Sequence, residues 1–269
     1  MTQTDLRVER DTDGVGRIVL DRPEAKNALT IGMRDGIIHA IREFRVDPLV
    51  RAVLITGEGD AFCAGMDLSA STVSQAAEPG FNPRTTSEAL RAGVQNFIRE
   101  LWELDKPTIA AVNGAAVGPG AHLALACDFV FVHPRTRFIW SFAKWGLVAD
   151  AGGAYLLPRL VGLARAKAML LLGEGATGAE AVDLGLAYRC VDDPDALLSE
   201  AVAVAHTLAA GPTRSLGLSK RLLNTSFESD LPRSLELEAH FQALATSSPD
   251  LVEGMAAFRD KRDAKFTGE

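Results

Sequence analysis

The sequence has few cysteines, no excess of positive charge, no apolar run long enough for a membrane span and no Gly/Ser-rich or highly charged linker. Each shortage excludes something. Cys63, Cys127 and Cys190 are odd in number and widely spaced, which argues against a disulfide framework and fits a reducing compartment. Cys63 and Cys127 sit among small apolar residues and read as buried, inert thiols. No stretch approaches the ~18 apolar residues of a membrane helix, and the N-terminus MTQTDLRVERDTDG lacks the apolar segment of a signal peptide. A cytoplasmic protein without a membrane partner is therefore expected. The net charge of -7, with a pI near 5.3, argues against nucleic acid as the main partner, although a local basic patch could still hold a phosphate.

What is present suffices for a large core: 269 residues, 47% hydrophobic and 23% charged. The segment KPTIAAVNGAAVGPGAHLALACD, 106 to 128, organises the chain. Thr108 to Val112 is short, apolar and partly β-branched, as in a buried strand, and Asn113-Gly114 stops it. Gly118-Pro119-Gly120 then allows close main-chain approach, and proline suits the first position of a helix running to about Ala126. The free N–H groups of such a helix start attract anions, including an oxyanion forming on a carbonyl. An ordinary strand-turn-helix corner has the same local pattern.

Earlier in the chain, Leu6 to Arg10 and Gly16 to Leu20 read as a hairpin around Asp11-Thr12-Asp13-Gly14. Thr30 is placed to cap a helix with Met33, Ile37, Ile38, Ile41 and Phe44 on one face, and Val50 to Thr56 forms the next strand. DAFCAGMDL, 60 to 68, is a second glycine-bearing turn after a strand, and 69 to 86 is a polar loop suited to a lid. Ser87 to Leu104 has helical periodicity through Leu90, Val94, Phe97, Ile98 and Leu101. Strands are expected at Phe129 to Val132 and Arg137 to Trp140. Asp150, before Ala151-Gly152-Gly153, is spaced as a helix N-cap. Helical segments are expected at 164 to 172 and 179 to 184, then an extended LAYRCV, then helices at 196 to 210, 213 to 224, 231 to 245 and 249 to 261. With no linker before this helical tail, it is expected to pack on the core or on a neighbouring subunit.

FCAGMDL, NGAAVGPGAHLALACD, GLVADAGGAYLLPRLVG and FRDKRDAKF occur in an order and spacing that resemble the crotonase, or enoyl-CoA hydratase/isomerase, superfamily. Among its members, GLVADAGGAYLLPRLVG and the ending KRDAKFTGE look most like the ring-oxepin and enoyl-CoA isomerases of phenylacetate degradation. The resemblance implies an α/β fold: a spiral of ββα turns over 1–195 with a helical C-terminal trimerisation region over 196–269. It implies a homotrimer or homohexamer acting on an acyl-CoA thioester, with no metal and no cofactor beyond the coenzyme A of the substrate.

Residue by residue, the resemblance puts the family's oxyanion donors at the Met66 amide and at position 119, where proline has no N–H to give. Either the Gly120 amide and the helix dipole take over, or fewer donors remain. The two glutamates of the hydratases fall on His122 and Phe142, so hydration by that route is lost. Asp150 falls where several isomerases and aryl-CoA dehalogenases of the family carry a catalytic aspartate, so it is read as a proton shuttle, a cap, or both. His122 is read as a packing residue or a participant in the site. Phe142, Trp140, Trp145 and Phe81 suit an acyl-pocket wall or the core, and Gly118, Pro119 and Asp67 belong to the turns that would meet the substrate. Ala28, Ala64 and Leu68 are expected to meet the adenine through main chain. Lys26, Phe258 and Lys261 are candidates for the adenine and 3′-phosphate, the lysines being equally readable as solvated surface charges. The alternatives to isomerase are a hydratase in the same fold and a non-catalytic acyl-CoA binder.

Overall fold

A computed structural model describes residues 5–67 and 82–269. The expected hairpin forms from β1 (Leu6–Arg10) and β2 (Val15–Leu20), which pair antiparallel. Asp11 shapes its turn by accepting from the Asp13 and Val15 amides at 3.0 and 2.9 Å. Thr30 caps α1 (Ile31–Val46), its hydroxyl accepting from the Met33 amide at 3.1 Å.

A single pattern then repeats. β3 (Ala52–Gly57) is followed by β4 (Ala61–Cys63), β5 (Thr108–Val112) by β6 (Ala115–Val117), and β7 (Phe129–Val132) by β8 (Arg137–Ile139). Two short strands complete the sheets, β9 (Ala176–Thr177) and β10 (Arg189–Cys190). The first strand of each pair joins a six-stranded sheet ordered β1-β2-β3-β5-β7-β10, and the second a four-stranded sheet ordered β4-β6-β8-β9. β3, β5 and β7 are parallel, as are β4, β6 and β8, so each ββα unit advances by one strand in both sheets at once. That advance is the spiral.

Tight corners join the strands of each pair, and successive corners are bonded to one another. Asn113 Nδ2 donates to the Gly59 carbonyl at 2.8 Å, and His133 Nε2 lies 3.1 Å from the Asn113 carbonyl. Gly114 is needed where they touch, because a Cβ there would sit 2.0 Å from the Asp60 carbonyl oxygen. The central strands read as continuous apolar runs because both faces are covered. Val53, Ile55, Ala110 and Val112 face the main core with α1, while Ala52, Leu54, Ile109 and Ala111 face α8 (Leu197–Ala209). α8 meets them with Leu197, Ala201, Ala205 and Ala209, one residue per turn, so the sheet's core extends past residue 195.

The helix expected over 87 to 104 is two helices, α2 (Pro83–Ala92), capped by Asn82, and α3 (Val94–Trp102). The break falls at Gly93, where a Cβ would lie 2.4 Å from Arg34 Nη1 and 2.7 Å from the Ala89 carbonyl oxygen. The arginine tip could move aside, but the Ala89 carbonyl belongs to the backbone of the preceding turn, and Gly93, at φ -99° and ψ -109°, leaves the helical conformation there. Of the expected loop, 69 to 81 lies outside the described residues.

Beyond α4 (Pro119–Leu125) come α5 (Gly153–Val161), α6 (Leu163–Lys167) and α7 (Gly178–Ala181). After α8 the chain forms α9 (Thr213–Thr225), α10 (Leu231–Thr246) and α11 (Pro249–Asp260). Lys220 of α9 is buried and pairs with Asp128 at 2.9 Å, tying the tail to the loop after α4. Asp250 accepts from the Thr267 and Gly268 amides at 2.6 and 2.8 Å and folds the last residues back on α11. α10 buries no residue and exposes Leu231, Leu235 and Leu244. Among the described residues no helix is long and apolar enough to cross a membrane.

Candidate active site

The carboxyl ends of β4, β6 and β8 lie side by side, and the turns that follow them open onto one cavity of about 230 Å³. Parallel strands aligned in this way bring loops distant in sequence to one edge. Ala64 and Met66 line the cavity from the first turn, Gly118 and Pro119 from the second, Phe142 and Trp145 from the third, and Asp150 from the segment before α5. Each was expected at a substrate site.

Glycines let these turns stack. Gly65, at φ +89°, would place a Cβ 2.9 Å from the Val117 carbonyl oxygen, and Gly118, at φ +48°, would place one 3.3 Å from the Phe142 ring. The Leu29 amide donates to the Gly65 carbonyl at 2.7 Å and the Asp67 amide to the Leu29 carbonyl at 3.0 Å. This pairing passes over the Met66 amide and holds it between two fixed neighbours. Pro119 opens α4 without an N–H. Gly120 is buried against β4 and absent from the cavity wall: a Cβ on it would fall 2.5 Å from the Cys63 carbonyl oxygen.

Asp150 does not cap α5. Gly152 holds the N-cap position without a side-chain bond, and Asp150 gives the helix only its carbonyl, which accepts from the Gly153 amide at 2.9 Å. The intervening Ala151 and Gly152 are left-handed, at φ 47° and 77°, and turn the carboxyl away from the helix start. A buried alanine in that region costs of order 1 kcal/mol, a strain kept where the side chain beside it must be aimed. Asp150 Oδ1 is buried without a hydrogen-bond partner among the described residues. Burial raises the carboxyl from 3.8 to about 6.

His122 stands behind the cavity wall. Its Nε2 accepts from Trp140 Nε1–H at 3.1 Å, so the neutral ring carries its proton on Nδ1. The ring stacks on Phe142 at 5.7 Å between centroids and presses on Gly153, where a Cβ would lie 2.1 Å from Cε1. It is fully buried, and burial pushes it down to about 4. The histidine joins α4, the end of β8 and the start of α5, so it positions Phe142 and the Asp150 segment through packing.

The remaining expected residues that are described do not line this cavity. Lys26 is paired with Asp60 through Nζ at 2.6 and 2.7 Å, and Asp67 accepts from Arg22 Nη1 at 2.7 Å. Arg22 also donates to the Ala28 carbonyl at 3.3 Å, so these side chains pin the 22–29 segment beside the Met66 turn. Phe258 is 88% exposed and lines a separate cavity of about 840 Å³ between α9, α10 and α11. Lys261 ends α11 in a left-handed conformation. Leu68 and Phe81 lie outside the described residues, and Trp140 is buried behind the wall with His122. The sequence reading missed Ile31, Arg34 and Ser141, which do line the cavity. The periodicity of α1 marks its core face but gives no sign that its first turns border a hollow.

Strand-end turns around an apolar cavity, with a main-chain amide fixed at one side and at another a buried carboxyl whose Oδ1 has no partner among the described residues, define a site suited to proton transfer beside a carbonyl. Comparison with known proteins names the class. A family model for enoyl-CoA hydratase/isomerase matches residues 10–269, and the chain belongs to that family. It is 38% identical over 260 residues to the 1,2-epoxyphenylacetyl-CoA isomerase of Escherichia coli K12, covering 95% of this chain and 96% of that protein. It is 33% identical over 250 residues to the crotonyl-CoA hydratase of Syntrophomonas wolfei, with 93% of each covered. The crystal structure of an enoyl-CoA hydratase from Bacillus anthracis superposes with a TM-score of 0.90 at 28% identity, covering 98% of this chain and 100% of that one. The spiral fold is that of the family.

Proposed function

We propose that this chain is an enoyl-CoA isomerase in which Asp150 carries a proton along the bound thioester. One observation carries the reading: Asp150 is the only carboxylic acid among the described lining residues, and burial holds it at about 6. At neutral pH such a group is ionised, yet close enough to its pKa to be reprotonated in the next step. The carboxylate takes a proton from C2 of a 3-enoyl thioester, and the C–H electron pair moves into a dienolate. The Met66 amide is placed to hold the dienolate oxygen. The protonated carboxyl then returns its proton to C4, which leaves the 2-enoyl thioester and restores the carboxylate. This chemistry calls for no metal or redox cofactor. Hydration would need a second acid–base group, and the described lining offers no further carboxylate or imidazole.

We assign the turns at 64–66 and 118–119 to the thioester, and Phe142 and Trp145 to the acyl group. Lys26 and Ala28 are assigned to the coenzyme A portion because their segment is bonded to the Met66 turn. The exposed apolar face of α10 supports a trimer or hexamer built through the helical tail, and the three free cysteines support a cytoplasmic location. Sedimentation at micromolar concentration is expected to show three or six copies; a monomer would refute the assembly.

The test is Asp150→Asn, assayed with a 3-enoyl-CoA for isomerisation and with crotonyl-CoA for hydration. Isomerisation is expected to fall by on the order of 10²-fold or more. Equal rates in wild type and variant would refute the role of Asp150, and faster hydration than isomerisation by the wild type would favour a hydratase.

A further inference from the structure

The cavity holds a second charged group that proton transfer does not use. Arg34, in the first turns of α1, lines the same wall as Ile31, Leu90 and Val94. Its bland reading is a surface ion pair with its neighbour, since Nε and Nη2 lie 2.8 and 2.7 Å from Asp35 Oδ1. The exposures argue otherwise. The Arg34 side chain is 15% exposed and that of Asp35 56%, so the carboxylate remains in water while the guanidinium is drawn inward. Both bonds go to a single oxygen at one edge of the guanidinium, whereas Nη1 lies at the α2–α3 break.

The chain also makes room for this group. Gly93 separates α2 from α3, and any side chain there would lie within 2.4 Å of Nη1. With no side chain at Gly93, that space is left to the guanidinium. The other described lining residues from α2 and α3, Ala89, Leu90 and Val94, are apolar, so among the described residues Nη1 keeps donor capacity in a largely apolar space. A guanidinium presents its donors in a fixed fork that matches a carboxylate.

We propose that Arg34 is a specificity-determining residue that recognises a carboxylate on the acyl group, so that the preferred ligands are coenzyme A thioesters of dicarboxylic acids. This rests on the acyl-CoA reading of the cavity but not on the direction of the proton transfer. Arg34 on α1 and Asp150 before α5 line the same cavity, and the proposal places the acyl chain between them. The carboxylate would take the free donors of the fork, and Asp35 would keep the other edge oriented.

Saturated thioesters test this without any turnover. Binding of adipyl-CoA and hexanoyl-CoA, matched in chain length, is measured by calorimetry on wild type, Arg34→Met and Arg34→Lys, each checked by thermal melting. Wild type is expected to bind adipyl-CoA at least tenfold more tightly. Arg34→Met should lose that preference while keeping its affinity for hexanoyl-CoA, and Arg34→Lys should restore part of it. No preference in wild type, or a preference that survives in Arg34→Met, would overturn the proposal, and the wild-type comparison stands even if a variant fails to fold. Because neither thioester can isomerise, a failure of the isomerase reading leaves this result intact. A chain that bound neither would overturn the acyl-CoA reading and this assignment together.

Discussion

Removing the Asp150 charge is expected to stabilise the protein while disabling it. Burial raises the carboxyl from 3.8 to about 6, so above that pH the folded protein holds an anion in a place that disfavours it. A shift of about 2 units, at ~1.4 kcal/mol per unit, corresponds to ~3 kcal/mol of stability forgone at neutral pH. The penalty is full above the folded value of about 6 and fades as the pH falls towards 3.8, where the group is neutral in both states. Asp150→Asn keeps the shape and never carries the charge. With an unfolding entropy of ~2.1 cal/mol/K per residue over 269 residues, ~3 kcal/mol corresponds to a rise of ~5 °C in Tm. Melting both proteins at pH 7.5, 6 and 5 is the assay. The gap is expected to be widest at pH 7.5 and to narrow at pH 5, since titrations elsewhere cancel between the two. A variant that melts at or below wild type at pH 7.5, or a gap that does not change with pH, would refute the argument that burial is what perturbs this carboxyl.

Pro119→Gly adds an amide at the second turn and is expected to raise kcat by ~10-fold or more with little change in KM, since one donor is worth ~2.7 to 4 kcal/mol where the oxyanion forms. An unchanged kcat in a variant of normal Tm would show that another group already fills that place. His122→Ala removes the acceptor of Trp140 Nε1–H and opens a void behind Phe142, so a loss of ~2 to 4 kcal/mol in stability is expected. Its kcat should fall less than in Asp150→Asn, and an equal fall at unchanged Tm would mean that the histidine takes part in the chemistry. The wild-type kcat/KM for isomerisation should drop tenfold per pH unit below about 6, because the base must be ionised; a flat profile between pH 5 and 7 would count against Asp150 as that base.

The sequence by itself determined the parts whose causes are local. The Asp11 turn, the Thr30 cap, the stop at Asn113-Gly114 and the proline start of α4 each follow from residues within one or two turns of one another. The family was legible as well, because its motifs are short contiguous runs that keep their order. The tertiary structure decided what depends on residues far apart. The helix pattern over 87 to 104 was sound locally, but the backbone breaks at Gly93, where the Arg34 guanidinium from α1 fills the space a side chain would take. Asp150 had the spacing of a cap, and two left-handed residues turned it into the cavity. His122 pointed towards the site by position, yet Trp140, Phe142 and Gly153 close it into the packing. Periodicity reports which face of an element is buried, not whether it is buried against side chains or against a hollow. That distinction arises only when three strand ends, α1 and the α2–α3 break are brought around one space.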